Sequence, residues 1–280
     1  MSGVAVGSPL TLLYAPGDRA DRVWKAYGSG ADSIVIDLED AVAPENKADA
    51  RSTLAGLIGV VTALPAAHRP GIQVRINAPG TEWHDADLSA IAALPRNVSV
   101  RVPKCESAAD VQRVCDRLPA RRVHLLVESA IGVERAYDLA SAHRHVASIG
   151  LGEADLTADL GVIDEDGLTW ARSRIVVASA AAGLQSPAMS VYPHVTDLDG
   201  LRASCLRGRA LGFRGRAAIH PRQLDVIRET FRPTEAEVSQ AQAVLSALPG
   251  GQGAAALPDG TFVDAAVMKQ ARRLITSAEA

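Results

Sequence analysis

Aromatic residues are scarce, at 4% of 280 positions, and cysteine is limited to Cys105, Cys115 and Cys205, with no C-x-x-C pair. Three isolated cysteines exclude a disulfide framework and a cysteine-built zinc site, and read as reduced thiols in a reducing compartment. Charge of one sign is not concentrated anywhere: 29 Lys and Arg against 32 Asp and Glu leave a net charge of −3. That balance gives no field for a nucleic-acid backbone and no charged interaction tail. The opening MSGVAVGSPLTLLYAPGDR lacks the early positive charge of a signal peptide, and its apolar run is too short to span a bilayer. The expectation is a cytoplasmic protein with neither nucleic acid nor membrane as partner. Several motifs are also missing. No G-x-G-x-x-G follows the first apolar run, no H-E-x-x-H or H-x-x-x-H offers zinc ligands, and no G-x-S-x-G forms a nucleophile elbow.

What is present is a repeating alternation. Short β-rich runs occur at Leu10–Ala15, Ser33–Asp37, Ile72–Asn77, Val98–Pro103, Val123–Glu128, Ser148–Gly152, Ala188–Tyr192 and Ala217–His220. Stretches of helical periodicity fill the gaps, among them Asp18–Tyr27, Ser107–Leu118 and Trp170–Ala182. Strands alternating with helices predict a parallel sheet, and eight such units predict an α/β fold of the (β/α)8 TIM-barrel type. A doubly wound sheet is the alternative, weakened by the missing glycine-rich turn. The barrel is expected over residues 1–222. A C-terminal helical extension is expected over 223–280, with helices at Gln223–Phe231, Glu235–Leu248 and Ala265–Ser277 and a flexible LPGGQGAAALPDG stretch between the last two.

In a barrel the carboxyl ends of the strands carry the chemistry. Asp37, Glu39 and Asp40 crowd the end of the second strand, a carboxylate density that calls for a cation or paired donors. A solvated turn with Asp40 as helix cap is the other reading. Arg75 stands between Val74 and Ile76 at the end of the third strand, placed for a carboxylate or oxyanion or for an ion pair lining the barrel. Glu128 ends the fifth strand, and Glu153 and Asp155 follow the sixth. Hard oxygen ligands on adjacent βα units suit Mg²⁺, although spacing alone leaves loop carboxylates equally open. His220, before Pro221, is read chiefly as a residue that orients its loop, with a catalytic role as the alternative.

The blocks APGDRADRVWKAYGSGADSIVIDLEDAVAPENKADAR, VRINAPGTEWHDADL, VPKCES, VESAIGVERA, GLGEADLTADLG, GLRASCLRGRALGFRGRAAIHPRQ and DGTFVDAAVMKQARRLI occur in order along the chain. Together they resemble the citrate lyase β-subunit-like family of the HpcH/HpaI aldolase superfamily. The resemblance implies a barrel whose C-terminal segment reaches a neighbouring subunit, usually in a homotrimer. It implies Mg²⁺, with Mn²⁺ as substitute, held by Glu128 and Asp155, a substrate clamp in Arg75, and Asp37 with Glu39 near the metal-bound water. Tyr14, Arg19 and Lys25 correspond to residues that meet the nucleotide end of coenzyme A. Asp264 corresponds to an acid supplied across the subunit interface, and a plain helix cap before Ala265 accounts for it equally well.

The implied activity is aldol- or Claisen-type cleavage or condensation at a carboxylated 3-hydroxyacyl-CoA such as malyl-, citramalyl- or hydroxymethylglutaryl-CoA. The partners are then an acyl-CoA and a small 2-oxo acid or glyoxylate. A citrate lyase β-subunit working on an acyl-carrier thioester is one alternative. A metal-dependent aldolase on free 2-oxo acids is another, disfavoured because Asp40 stands where that group often has His. A non-catalytic binding barrel is the last.

Overall fold

The computed structural model describes residues 9–63, 69–248, 253–258 and 260–279. Seven parallel strands form one sheet: β1 (Thr11–Pro16), β2 (Ser33–Asp37), β3 (Gly71–Arg75), β4 (Ser99–Val102), β5 (Val123–Val127), β6 (Val146–Leu151) and β7 (Arg216–Ala218). Their spatial order is β6-β5-β4-β3-β2-β1-β7. Sequential neighbours pair because each strand is followed by chain that returns to the amino end, largely as helix, as parallel pairing demands. All residues of β2 and of β5 are buried. That is the signature of a sheet covered on both faces, and the reason these strands read as unbroken apolar runs.

Register sets the functional end. Pro16 pairs with Asp37, Asp37 with Arg75 and Arg75 with Arg101 across β1 to β4. In-register neighbours project to the same side, so an acid and two arginines stand in a row. Residues from both edges of the sheet, Leu151 of β6 and Ala217 of β7, border a single cavity, so the sheet curls round an interior.

The eighth strand is a correction to the sequence-based expectation. Ala188–Tyr192 is reduced to one bridge, Met189 opposite Arg216. Met189 donates to Gly215 O at 2.9 Å, and Ala217 donates back to Met189 O at 2.9 Å. Pro187 and Pro193 bracket the segment. Neither can donate to a ladder, and β6 remains the sheet edge on that side.

The chain divides into two compact units within the helix Leu224–Phe231, the larger ending at Arg228 and the smaller beginning at Glu229. In the smaller unit, helices Glu235–Ala247 and Ala265–Glu279 enclose Ala241, Val244, Leu257, Val263, Met268 and Ala271. Thr234 and Glu237 form a capping box at the start of the first helix. The stretch expected to be flexible is partly ordered. Ala255–Ala256 pairs antiparallel with Phe262–Val263, and Gly260, at φ 85°, turns the chain between them. Burial of Leu257 and Val263 supplies the anchor, whereas residues 249–252 and 259 lie outside the described set. Among the described residues, no helix is long and apolar enough to cross a membrane.

Candidate active site

The carboxyl ends of the strands open into a cavity of about 370 Å³ in the larger unit. Its acids are Asp37, Asp40, Glu128, Glu153 and Asp155, facing Tyr14, Arg75, Arg101 and an apolar side that includes Leu126, Met189 and Ile219.

Asp37 and Arg75 form its best-defined pair. Arg75 Nε donates to Asp37 Oδ1 at 2.8 Å and Nη2 to Asp37 Oδ2 at 2.6 Å, a two-point contact in which Asp37 is 1% exposed. Asp37 also accepts the backbone N–H groups of Glu39 and Ala41 at 3.0 and 3.2 Å. The acid that caps this turn is therefore Asp37 rather than Asp40. The fork of Arg75 is spent on Asp37, and its Nη1 reaches Glu39 Oε2 at 2.8 Å and Asp40 Oδ2 at 3.3 Å. The guanidinium lies over the Tyr14 ring at 5.3 Å. Burial works against the charge on Arg75, but the hydrogen bonds and field of Asp37 outweigh it, and its pKa is raised. Burial likewise raises the Tyr14 hydroxyl, against the pull of Arg101 and Arg75.

Lys104, just beyond β4, ties the acids together. Its Nζ lies 2.8 Å from Glu39 Oε1 and 3.5 Å from both Asp40 Oδ1 and Asp155 Oδ2. Its backbone N–H donates to Glu128 Oε2 at 3.1 Å. A φ of 51° turns the residue so that both contacts are made, a left-handed conformation that costs a side-chain-bearing residue. Burial opposes the Lys104 charge, yet Glu39, Asp40 and Asp155 raise its pKa. Burial raises Glu39 despite Arg75 and Lys104. Glu128 is pushed up to about 7, by burial first and then by Glu39 and Asp155.

Glu128 and Asp155 thus both meet Lys104, Glu128 from the end of β5 at its backbone N–H and Asp155 from the helix Glu153–Leu160 that follows β6 at its ammonium. Glu153 is committed elsewhere. Arg172 grips it at two points, 2.8 and 2.7 Å, and also reaches Glu165 at 2.7 Å. His220 takes the loop-orienting role, its Nδ1 accepting the Arg222 N–H at 3.1 Å.

Of the residues matched to the nucleotide end of coenzyme A, Tyr14 lies in the cavity beneath Arg75. Arg19 and Lys25 do not line it. Arg19 pairs with Asp21 at 3.0 Å on the surface, and Lys25 is exposed in the last turn of Ala20–Tyr27. Asp264 lies in the smaller unit, where its Oδ1 accepts the N–H groups of Ala266 and Val267 at 2.9 and 3.0 Å and caps the last helix. Lys104 is the participant that the sequence reading omits. The rule that selects Arg75, a charge at a strand end, selects it too.

A parallel α/β sheet with interlocked acids and cations at its carboxyl ends, facing one cavity, has the layout of an α/β enzyme site. The chain belongs to the HpcH/HpaI aldolase/citrate lyase family, whose model matches residues 10–221. It is 36% identical to a (3S)-malyl-CoA thioesterase of Cereibacter sphaeroides, an alignment covering 96% of this chain and 94% of that protein. It is 30% identical to an L-malyl-CoA/beta-methylmalyl-CoA lyase of the same species, over 95% and 93% of the two chains. Among solved structures it resembles CitE from Mycobacterium tuberculosis in complex with magnesium, acetoacetate and coenzyme A. That match has a TM-score of 0.80 at 32% identity and covers 99% of this chain and 100% of that one.

Proposed function

We propose that this chain is a Mg²⁺-dependent carbon–carbon lyase of the cytoplasm, acting on a carboxylated 3-hydroxyacyl-CoA of the malyl or citramalyl type. The observation that carries the reading is that Glu128 and Asp155 line one cavity with Arg75 and both meet Lys104, Glu128 at its backbone N–H and Asp155 at its ammonium. A divalent ion suits the residues there. Glu39 Oε2 is buried without a hydrogen bond despite its 2.8 Å ion pair with Arg75, and two carboxylates with open positions are the donor set that Mg²⁺ accepts. Glu128 and Asp155 would hold the ion, with Mn²⁺ as a substitute. When bound, it supplies Lewis acidity to the oxygens of the keto-acid half of the substrate.

The remaining work falls to side chains. Arg75, held rigid by Asp37 and with Nη1 on Glu39 and Asp40, would stabilise negative charge on a carboxylate or enolate oxygen once those acids are drawn to the metal. Glu39 and Asp37 order the acid side of the site. Tyr14 forms part of the cavity next to Arg75, and Arg19 and Lys25 on the exterior would meet the phosphates of coenzyme A. Asp264, carried by the extension that begins near residue 223, would move the proton at the thioester α-carbon of a neighbouring subunit in a homotrimer or higher homo-oligomer. The partners are acyl-CoA and a small 2-oxo acid or glyoxylate.

Hydrolysis of the thioester is the second reading, favoured by the 36% identity to a malyl-CoA thioesterase. The products separate the two. Purified protein given malyl-CoA and Mg²⁺ is expected to release glyoxylate and acetyl-CoA in equal amounts. Free coenzyme A with malate, and no glyoxylate, would establish hydrolysis instead. Turnover only of an acyl-carrier thioester would mark a citrate lyase β-subunit, and turnover only of free 2-oxo acids an aldolase.

A further inference from the structure

The interior of a parallel barrel-like sheet is ordinarily filled by branched apolar side chains. Here the part of the interior nearer the amino-terminal ends of the strands also carries several polar and charged side chains among apolar ones. A second cavity, of about 50 Å³, is lined there by Gln73, Arg101, Arg122, His124, Ser148 and Arg214, among others. Arg101, on β4, is 7% exposed. Its Nε and Nη2 both donate to one neutral oxygen, Gln73 Oε1, at 2.9 and 2.7 Å. Burial lowers its pKa, against the opposing pull of Tyr14 and Glu128 and with the help of Arg75. His124 Nδ1 lies 2.8 Å from Ser148 Oγ. Burial, then Arg101 and Arg122, hold this imidazole well below its ordinary pKa, so it adds no charge at neutral pH. Among the described residues, no Asp or Glu lines the cavity.

Three arginines therefore border a small, partly open space with no acid in its lining among the described residues: Arg101 is buried, Arg214 half-buried and Arg122 exposed. Among the described residues, the hydrogen-bond partner of the buried Arg101 is a neutral amide, a costly arrangement that an anion relieves. The space is several times the roughly 10–15 Å³ needed by one water, on the scale of a small tetrahedral anion. Arginine suits such a ligand, because its planar fork reaches two oxygens at once. The acid-rich cavity at the other end of the strands attracts the opposite charge. We propose that the amino-end cavity is a binding site for a small oxyanion of the phosphate or sulfate class, held by Arg101, Arg122 and Arg214, with Arg101 standing in the wall between it and the active-site cavity.

The test is calorimetric titration of the whole protein with inorganic phosphate and, separately, with sulfate, in metal-free buffer. Saturable binding of at least one of them, one per chain, is expected. The double variant Arg122→Ala/Arg214→Ala should weaken it tenfold or more. Gln73→Glu places a carboxylate where Arg101 now meets an amide oxygen, and should abolish binding without loss of the fold. Arg75→Lys, at the other end of the strands, should leave it unchanged. No saturable binding of either anion overturns the proposal. So does affinity retained in both the double variant and Gln73→Glu, or lost in Arg75→Lys alone, which would place the anion at the active site. If the double variant fails to fold, Gln73→Glu decides.

Discussion

A Cβ built on Gly152 would meet Cγ and Cδ of Glu128 at 2.6 Å, although its φ of −97° suits any residue. The position is glycine for space rather than for conformation, and the space belongs to the carboxylate. Gly152→Ala is therefore expected to fold normally while turning Glu128 aside. Mn²⁺ affinity, measured by direct titration, should fall about tenfold or more, the scale seen when a ligand's support is removed. Unchanged affinity would mean that Glu128 does not hold the ion. Arg75→Lys keeps the charge but cannot span both oxygens of Asp37, so kcat/KM should drop roughly 10²-fold. A near-wild-type value would make Arg75 a structural ion pair only. Both residues of that pair are legible as charges ending apolar runs, yet their mutual grip is not, because β2 and β3 are separated by a long helix in sequence. Lys104 was legible by the same rule and is hidden by its company. Nothing in V-P-K-C-E-S distinguishes it from a solvated lysine, and the left-handed backbone that aims it at Glu39 and Glu128 leaves no mark in composition.

Strands buried on both faces announce themselves, and for that reason β2 and β5 are legible to within a residue. The segment Ala188–Tyr192 has the same apolar character, but Pro187 and Pro193 deny it a ladder, and composition weighs less than a missing donor. Helices show a comparable limit. The 3-10 turn Glu165–Leu168 and the helices Thr169–Ala181 and Leu198–Leu211 are joined by one acid, Glu165, which receives Arg172, Ser204 and Arg207. No spacing in the sequence links those positions. Although burial pushes the other way, these hydrogen bonds lower Glu165 from its ordinary 4.5 to about 2. A carboxylate depressed in the folded state contributes stability that is present above about 4.5 and lost as pH falls towards about 2. Thermal unfolding across that range should show a shallower pH dependence in Glu165→Gln than in the parent, with the parent more stable at neutral pH. Parallel curves would show that the cluster is not coupled to folding.

Within the molecule as a whole, the acid proposed for proton transfer and the ions proposed for the metal lie in different compact units, Asp264 in the smaller and Glu128 in the larger. If sites are completed between subunits, mixing inactive Asp264→Ala and Glu128→Ala chains and reassembling them should restore a fraction of the activity. Mixed oligomers that form and stay inactive would leave Asp264 with its capping role alone. The larger unit has its own discontinuity. Between β6 and the segment around Met189, a side chain takes over from the ladder, with Ser190 Oγ accepting the Glu153 N–H at 3.2 Å. Peptide groups along such a line have water as their alternative partner, and the line can part without disturbing β1 and β2. Deuterium should therefore enter Val191 and Tyr192 well before it reaches Ile34–Ile36. The wall that carries Met189 and Ser190 into the cavity is thus held to the rest of the sheet on this side by a side chain rather than by a ladder, and its place depends on Ser190 as much as on the strands.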